Sequence, residues 1–521
     1  MSKPKLTIFL ITFILILKIV NLKPENRIKQ RGAGILMHIT SLPSNYGIGT
    51  LGKEAFRFVD FLFKSKQKYW QILPIGPTGI GDNPNNPYSL TCSYAGNTYM
   101  IDLDILISEK LLKEEEVKNE FWGEDLTKVD YNIQYNKRLP ILEKAFNRFK
   151  PNSAYNEFIK ENQFWLDDYA LYISLKEKFE NKIWLFWPED IKLRRQDAQK
   201  RYKKECENKI NLIKFIQFKF YEQFNKLRKY TTEKNIKLIG DVPIYVPLDS
   251  SDIWTNPKNF QLDSNLNPLQ VSGYPPDFFS PDGQLWSNPC YDWDFMAKDD
   301  YKWYINRLKY NSKFYDIIRI DHFRGLESYW SIPYGEKTGK NGKWVKGPGM
   351  DLINLIKKNL PYIDFIAEDL GFLTKEVLEL KDKSGFPGMK ILQYAFNAKE
   401  KSIYLPYFYD VNTVCYTGTH DNEVLVKWQN ELSFEDRKFC EKYCGLNSGA
   451  DLRYPVIREG MKSVSFLFIV QFQDYLGLGG ESRMNVMGID NGKNWRWRTK
   501  PEEINDNLAG EIAHLTKLYG R

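Results

Sequence analysis

Four acidic residues stand at the ends of short apolar segments in this 521-residue sequence. Asp241 closes Lys-Leu-Ile-Gly-Asp, and Asp321 closes Ile-Ile-Arg-Ile-Asp. Glu368 closes Phe-Ile-Ala-Glu, and Asp421 follows Tyr-Thr-Gly-Thr-His. A single acid at such a place usually caps the next helix. Four acids, accompanied by an arginine and two histidines, are better explained by one functional site at which several strand ends converge.

Two carboxyl groups with separate roles suffice to break or transfer a glycosidic bond. One attacks or stabilises the anomeric carbon, and the other protonates the leaving oxygen. The second group must stay protonated near neutral pH, which burial or neighbouring carboxylates achieve. Arg319 lies two residues before Asp321 on a predicted strand, so both point to the same side and Arg319 would keep Asp321 ionised. His322 and His420 could hydrogen-bond sugar hydroxyls, although His420 could also be a loop histidine with a local hydrogen bond.

The same acids would also suit a divalent metal such as Mg²⁺, because carboxylates are its preferred protein ligands. Phosphoryl or sugar-phosphate chemistry would then follow. The sequence contains neither a Walker motif nor His-Glu-x-x-His, and the neighbouring arginine and histidines suit a sugar better than a cation. A metal-dependent enzyme remains an alternative, which insensitivity of the activity to EDTA would exclude.

Eight short, mostly apolar segments alternate with longer segments, as strands covered on both faces by helices do. The predicted strands are Gly34–Ile39, Tyr69–Ile75, Lys237–Val242, Ile317–Asp321, Asp364–Glu368, Met389–Gln393, Thr413–Thr417 and Val464–Val470. A charged, helix-rich stretch interrupts them from about Ile105 to Lys234. This pattern predicts an α/β fold, a (β/α)8 TIM barrel with large, mainly helical insertions, whose chemistry lies at the C-terminal ends of the strands.

The charge balance argues against nucleic acid as a partner. The 74 basic and 66 acidic residues leave a net charge of only +8, and the sequence has no zinc finger and no phosphate-binding glycine loop. The basic stretch Lys192–Lys209 is interpreted as the solvated face of a helix. Six scattered cysteines in a chain of this size indicate free thiols in a reducing compartment, so we expect a cytoplasmic location.

The N-terminus conflicts with this expectation. The segment Leu6–Leu17 is nearly all apolar and is flanked by lysines. It is short for a bilayer span, and no small-residue cleavage site follows it. Three interpretations stay open: an anchor through residues 6–20, a poor signal peptide, or translated sequence upstream of the true start, which we favour. Residues 1–30 are therefore set apart as an extension, and membrane contact is expected only if this run belongs to the protein.

A series of motifs in this chain resembles one known family. Arg-Ile-Asp-His-Phe-Arg-Gly, at Arg319–Gly325, is similar to the nucleophile motif of amylomaltases, the 4-α-glucanotransferases of glycoside hydrolase family 77 in the α-amylase clan. The other matching motifs are Arg31-Gly-Ala-Gly-Ile-Leu, Ser41-Leu-Pro-Ser, Trp70-Gln-Ile-Leu-Pro-Ile-Gly-Pro-Thr-Gly, Gly240-Asp-Val-Pro-Ile-Tyr-Val, Gly283-Gln-Leu-Trp, Tyr329-Trp-Ser-Ile-Pro, Ala367-Glu-Asp-Leu-Gly, Gly385-Phe-Pro-Gly-Met-Lys, Tyr416-Thr-Gly-Thr-His-Asp-Asn, Arg483-Met-Asn and Asn494-Trp-Arg-Trp-Arg. Because they occur in the family's order from Arg31 onward, the resemblance is specific.

The resemblance implies a role for each matching residue. Asp321 would be the nucleophile that forms a covalent β-glucosyl-enzyme, Glu368 the acid and base, and Asp421 a third carboxylate that grips sugar hydroxyls. The residues implied around the donor sugar are Arg319, His322, His420 and Asp241. Those implied in glucan binding are Asp277, Gln284, Trp286 and Asn485. The resemblance also implies retention through double displacement, maltooligosaccharides and longer α-1,4-glucans as substrates, and no metal or organic cofactor.

Two segments depart from the family's pattern. Where the family commonly has Gly-Asp-Ser-Pro-Tyr-Gln, this chain has Gly81-Asp-Asn-Pro-Asn-Asn-Pro-Tyr-Ser. A short insertion would place Tyr88 at the family's sugar-contacting tyrosine, and Ser93-Tyr-Ala-Gly-Asn then resumes the pattern. In the second segment, Tyr274 and Phe278 stand where Val and Tyr are usual. These changes affect the donor site and the acceptor preference but leave the three carboxylates in place.

The sequence thus gives one main expectation and two alternatives within carbohydrate chemistry. We expect residues 31–521 to form one catalytic barrel, with a helical insertion at about 105–234 and a substrate loop at about 247–292, that transfers a 1,4-α-glucan segment to a glucose or maltooligosaccharide acceptor. A hydrolase of the same clan would use the same catalytic residues and release glucose to water. A non-catalytic glucan-binding protein would lack one of the three carboxylates, and all three are present. The sequence carries no signal for an oligomeric state.

Overall fold

The structure is a computed structural model that describes residues 30–78, 85–277, 280–488 and 492–521. The apolar segment near the N-terminus, with the anchor considered for it, lies outside these residues, as do Phe278 and part of the segment that precedes Tyr88. Within the described ranges, no helix combines the length and the apolar character that crossing a bilayer requires.

Twelve β-strands lie in the described residues and form two sheets. In chain order they are β1 Gly32–Leu36, β2 Tyr69–Gln71, β3 Lys237–Val242, β4 Gln270–Tyr274, β5 Gln284–Pro289, β6 Ile317–Ile320, β7 Ser328–Pro333, β8 Lys343–Lys346, β9 Asp364–Ala367, β10 Gly388–Ile391, β11 Thr413–Tyr416 and β12 Leu467–Gln471. Eight of them form a parallel sheet in the order β10, β11, β12, β1, β2, β3, β6, β9. Among these eight strands, each one therefore lies beside the one that precedes it in the chain, around one core.

The two end strands of this sheet, β9 and β10, lie side by side. The backbone N–H of Ala367, the last residue of β9, donates to the carbonyl of Pro387 over 2.9 Å, and β10 begins at the next residue. This contact brings the sheet round into a barrel. The predicted (β/α)8 TIM-barrel fold is confirmed.

All eight predicted strand segments coincide with strands of the barrel, but their bounds differ. β2 ends at Gln71, short of the predicted Ile75, and β12 begins at Leu467 rather than at Val464. Val464 is half exposed, whereas every residue of β12 is buried. Strands covered on both faces are apolar throughout. An apolar run in the sequence therefore shows that a strand is present, but it does not show at which residue the backbone hydrogen bonds of the sheet begin or end.

Eighteen α-helices lie in the described residues. They are α1 Lys53–Lys64, α2 Leu103–Ser108, α3 Glu115–Lys118, α4 Tyr131–Arg148, α5 Ser153–Lys178, α6 Glu189–Lys192, α7 Gln196–Glu205, α8 Glu207–Glu233, α9 Ser251–Thr255, α10 Trp293–Ala297, α11 Lys302–Asn311, α12 Gly349–Asn359, α13 Lys375–Ser384, α14 Leu425–Glu431, α15 Phe434–Tyr443, α16 Arg453–Lys462, α17 Phe472–Leu476 and α18 Asp506–Leu518. Helices α2 to α8 lie between β2 and β3. The two longest, α5 and α8, pack together through aromatic side chains, with the rings of Trp165 and Tyr221 6.1 Å apart.

A second sheet is antiparallel and has the strand order β5, β4, β7, β8. Its strands come from the segments on either side of β6, and two of them lie in the region predicted as a substrate loop. β4 pairs with both β5 and β7 and contains a bulge between Val271 and Gly273. A Cβ on Gly273 would lie 2.2 Å from the carbonyl oxygen of Gln284, so the close approach of β4 and β5 requires glycine there.

Candidate active site

The guanidinium of Arg319 joins two of the predicted acids. Arg319 in β6 pairs directly with Asp241 in β3. Its Nη1 donates to both carboxylate oxygens of Asp241, at 2.7 and 2.6 Å, and to Oδ1 of Asp321 at 2.9 Å. The side chains of Arg319 and Asp241 are buried, whereas that of Asp321 is 28% exposed. Asp241 and Arg319 thus form the floor of the site, and Asp321 faces its opening.

Glu368 lies one residue beyond the end of β9, beside β6. Its Oε2 accepts the backbone N–H of His322 at 2.8 Å, and its Oε1 accepts the backbone N–H of Leu370 at 2.9 Å. His322 has a φ of +52°, a left-handed conformation that turns the chain sharply after Asp321. Each oxygen of Glu368 is therefore held by one backbone donor, and the carboxyl group has a fixed orientation.

Asp421 belongs to a chain of polar contacts that leads back to the floor of the site. Asn485 Nδ2 donates to Asp421 Oδ1 at 2.6 Å, and His420 Nε2 lies 3.2 Å from Asp421 Oδ2. The same Nε2 is 2.9 Å from the hydroxyl of Tyr88, which donates to Asp241 Oδ2 at 2.7 Å. The rings of Tyr88 and His420 stack with centroids 5.3 Å apart. The structure thus brings Tyr88 into the cluster.

Asp321 and Glu368 hold a proton more strongly than free carboxyl groups do. Burial raises the pKa of Asp321 and that of Glu368, while Arg319 opposes the rise at both residues. The charge of Asp421 adds to the rise at each. Such a pair retains one proton at a pH at which two separate carboxyl groups would both be ionised.

The two histidines of the site are neutral. Burial lowers the pKa of His322 to about 3 and also lowers that of His420. Burial raises the pKa of Tyr88 far above its usual value, so this side chain keeps its hydroxyl proton. Because the Tyr88 hydroxyl donates to Asp241, we assign the proton of His420 to Nε2, which then donates to Tyr88 or to Asp421.

Three of the four residues predicted to bind glucan lie on the second sheet or just after β4, whereas Asn485 lies beside Asp421. Trp286 Nε1 donates to Gln284 Oε1 at 3.0 Å, and the Trp286 ring meets the His322 ring edge to face, with centroids 4.7 Å apart. These two residues therefore adjoin the catalytic cluster. Asp277 lies on the exposed turn after β4, where its Oδ1 accepts the backbone N–H of Ser280 at 2.7 Å. The structure places Asp277 on this turn rather than in the carboxylate cluster.

Arg483 also belongs to the cluster, although its motif predicted no role for this side chain. Its Nη2 donates to the carbonyl of Asp421 and its Nε to that of Asn485, both at 2.7 Å, and its Nη1 donates to Glu423 at 3.1 Å. It thereby fixes the backbone that carries the Asp421–Asn485 pair. The signal was present in the sequence, because the motif Arg483-Met-Asn contains both Arg483 and Asn485.

A parallel eight-stranded barrel that gathers carboxylates at its C-terminal strand ends defines an enzyme of the (β/α)8 class, with its site on that face. The sequence profile of 4-alpha-glucanotransferases matches residues 37–504. The chain belongs to this family, and the activity predicted from the motifs, transfer of a 4-α-glucan, is confirmed.

Individual relatives match over nearly the whole chain. The 4-alpha-glucanotransferase of Clostridium butyricum is 46% identical over 489 residues, which cover 93% of this chain and 100% of the relative. That of Aquifex aeolicus is 44% identical over 492 residues, covering 94% and 99%. Among solved structures, amylomaltase from Streptococcus agalactiae in complex with acarbose is 38% identical, with a TM-score of 0.91 over 94% of this chain and 100% of that one.

Proposed function

We propose that Asp321 is the nucleophile and Glu368 the general acid and base of the transfer reaction. The observation that carries this proposal is the division of the carboxylates around Arg319. Asp241 is fully buried beneath the guanidinium, whereas Asp321 contacts the same guanidinium and is partly exposed. Glu368 is held by two backbone N–H groups on the neighbouring strand end. An accessible, ion-paired carboxylate beside a second, fixed carboxyl group is the arrangement that a retaining mechanism requires.

The proton shared by this pair belongs on Glu368 before the reaction starts. The guanidinium lies 2.9 Å from Asp321 and stabilises its charged form. Glu368, which is also partly exposed, receives its hydrogen bonds from backbone groups that carry no full charge, and partial burial raises its pKa. The nucleophile is therefore ionised and the acid protonated, as two carboxyl groups with different tasks require.

The reaction then proceeds by two displacements. The Asp321 carboxylate attacks the anomeric carbon while the proton of Glu368 passes to the leaving glycosidic oxygen, giving a covalent β-glucosyl ester on Asp321. The 4-hydroxyl of an acceptor sugar enters, loses its proton to Glu368 and attacks the same carbon. This step releases Asp321 and forms a new α-1,4 bond, so the anomeric configuration is retained.

The surrounding polar residues would hold the donor sugar. Asp421 is oriented by Asn485 and His420 at its two oxygens and remains partly exposed. In this position it would accept hydrogen bonds from sugar hydroxyls and favour the distorted ring of the transition state. Neutral His322 and His420 would donate or accept hydrogen bonds without adding charge. Tyr88 couples this part of the site to Asp241.

We infer that the substrates are maltooligosaccharides and longer α-1,4-glucans, which Gln284, Trp286 and Asp277 would bind outside the catalytic cluster. The indole of Trp286 stands beside His322 and provides an apolar face for a glucose ring. The alternative of a metal-dependent enzyme is disfavoured by the position of Arg319. Its guanidinium lies between Asp241 and Asp321, where a cation shared by these carboxylates would bind.

The test is incubation of the purified protein with maltotriose alone, with the products resolved by chain length over time. Longer maltooligosaccharides together with glucose are expected, because the intermediate is resolved by a sugar acceptor. Glucose and maltose without longer products would instead mean resolution by water. The activity should be the same with and without EDTA, and the Asp321→Asn protein serves as the negative control.

We propose further that residues 31–521 form the catalytic unit and that it acts in the cytoplasm. The six cysteines of the chain lie among the described residues, and all are free thiols, as expected in a reducing compartment. A protein that begins near Lys29 should therefore be soluble and have the specific activity of the full chain. Insolubility or loss of activity on removal of the preceding residues would contradict this proposal.

A further inference from the structure

Tyr274, the last residue of β4, connects the second sheet to the segment that follows Glu368. Its hydroxyl accepts the backbone N–H of Phe372 at 2.7 Å. Gly371, which directly precedes Phe372, has a φ of +85°. A Cβ on this glycine would lie 2.8 Å from the Tyr274 hydroxyl. The approach of the tyrosine to this segment thus depends on a hydrogen bond and on a glycine that leaves room for it.

The ring of Tyr274 also contacts the other side of Glu368. It meets the His322 ring edge to face, with centroids 6.2 Å apart and an interplanar angle of 80°. His322 supplies the backbone N–H to Glu368 Oε2, and Leu370, two residues before Phe372, supplies the N–H to Oε1. Both backbone donors of Glu368 therefore lie in segments that Tyr274 contacts.

We propose that Tyr274 is a positioning residue for Glu368, a role that rests on the proposed function of Glu368 as the acid and base. Tyr274 touches neither oxygen of Glu368 in the contacts of the described residues; it holds the two segments whose N–H groups fix that carboxyl group. The contact with Phe372 requires a hydroxyl at position 274, which an aliphatic side chain would not supply.

Arg324, which also interacts with Tyr274, holds the same segment through a backbone carbonyl. Its Nη1 donates to the carbonyl of Phe372 at 2.6 Å, and its guanidinium lies 3.7 Å from the centroid of the Trp344 ring in β8. Tyr274 and Arg324 therefore hold the N–H and the C=O of one residue. Because Arg324 remains when the Tyr274 hydroxyl is removed, we expect the segment to loosen rather than to unfold.

The Tyr274→Phe variant removes the hydroxyl and keeps the ring. The backbone N–H groups stabilise the charged form of Glu368, so looser donors should raise its pKa. We expect the alkaline limb of the profile of kcat/KM against pH to move to higher pH. We also expect kcat with maltotriose to fall about tenfold and KM to change little, because the misplaced acid acts only in the chemical steps.

The decisive comparison is between maltotriose and α-maltosyl fluoride, whose leaving group departs without a proton. In the Tyr274→Phe protein, the rate of fluoride release in the first turnover should be nearly unchanged. The kcat of the same protein with maltotriose should fall. Tyr329→Phe is the matched control, because Tyr329 in β7 of the same sheet also accepts a hydrogen bond through its hydroxyl, from Gln261 at 3.0 Å. It should leave both rates and the pH profile as they are.

The Glu368→Gln variant separates the two proposals. If it spares fluoride release but abolishes turnover of maltotriose, Glu368 is the acid, and a Tyr274→Phe protein that then behaves like wild type overturns the role of Tyr274. If Tyr274→Phe lowers the rate of fluoride release and the rate with maltotriose by the same factor, the proposed role of Tyr274 is also overturned, because that result indicates a general structural defect. If Glu368→Gln affects neither substrate, the proposed function of Glu368 is itself wrong.

Discussion

The two ends of the barrel each bury an arginine, and the partners of the two side chains are of different kinds. At the C-terminal ends of the strands, Arg319 binds the carboxylates of Asp241 and Asp321. At the N-terminal ends, Arg521 is also buried and donates to five backbone carbonyls, those of Gly32, Gly460, Met461, Ser463 and Ser465. Arg31 donates to three of the same carbonyls.

The partners indicate that Arg521 has a structural role and that Arg319 acts on the chemistry of the site. The carbonyls bound by Arg521 belong to the start of β1, the approach to β12 and the end of α16, so this arginine holds three elements together. Arg319 joins side chains on neighbouring strands, β3 and β6, whose backbones are already paired. The main effect of Arg319 is therefore on the charge of the carboxylates, as expected for the end of a barrel that carries the chemistry.

The largest effect should follow from Asp321→Asn at the catalytic end. We expect kcat with maltotriose to fall on the order of 10⁴-fold or more, because an amide cannot act as the nucleophile. The melting temperature should stay within a few degrees of wild type, since Arg319 keeps its two hydrogen bonds to Asp241. Near-normal turnover in a folded Asp321→Asn protein would show that another group forms the intermediate.

A matched pair of substitutions tests the comparison directly. Arg319→Met should lower kcat on the order of 10³-fold, because it leaves Asp241 and Asp321 without a cation and raises the pKa of Asp321. Its activity should recover in part at higher pH, where Asp321 ionises despite the missing guanidinium. The pH profile of kcat is the measurement, and a profile that keeps the wild-type shape would argue against Arg319 as the group that keeps Asp321 charged.

Arg521→Met at the opposite end should lower the stability of the fold and leave the activity unchanged. We expect the free energy of unfolding, measured by denaturant titration, to fall by about 3 kcal/mol, since five buried carbonyls lose a charged donor. Michaelis parameters measured well below the melting temperature should be those of the wild type. A loss of kcat comparable to that of Arg319→Met would mean that the two ends of the barrel are not separate in function.

The sequence predicted which acids lie together at the C-terminal end of the barrel, because its signals there are local. Each acid follows an apolar strand segment, and parallel strands of a barrel bring such positions to one face. The chain-specific features needed long-range information. Nothing near Tyr274 in sequence shows that its hydroxyl reaches Phe372, and nothing near Arg521 shows that it binds the carbonyl of Gly32.

The second sheet was missed for a related reason. The segment that forms β4 reads Gln-Val-Ser-Gly-Tyr and contains a bulge, and β8 reads Lys-Trp-Val-Lys with much of its surface exposed. Neither segment has the continuous apolar character that marked the barrel strands. The pairing of β4 with β7 spans β6 and depends on contacts between segments far apart in the chain, which periodicity along the sequence does not report.

The smallest effect concerns an acid at the catalytic end that has no arginine partner among the described contacts. Asp474 is buried, and its oxygens accept hydrogen bonds from the backbone N–H of Leu425 at 2.7 Å and from the Thr417 hydroxyl at 2.6 Å. Burial raises its pKa to about 7. Between pH 4 and 7 the folded protein therefore keeps a proton that the unfolded chain releases, so the free energy of unfolding falls as the pH rises through this window.

Asp474→Asn should make that decline shallower and leave kcat unchanged. The asparagine oxygen can still accept from Leu425, and the Thr417 hydroxyl can rotate to accept from the amide, so both hydrogen bonds persist. The decline should not vanish, because burial also raises the pKa of Asp369 to about 7, and this acid contributes with the same sign. Denaturant titrations at several pH values measure the slope. An unchanged slope would mean that Asp474 ionises in the folded protein as easily as in the unfolded chain, so that burial without an arginine partner does not keep this acid protonated.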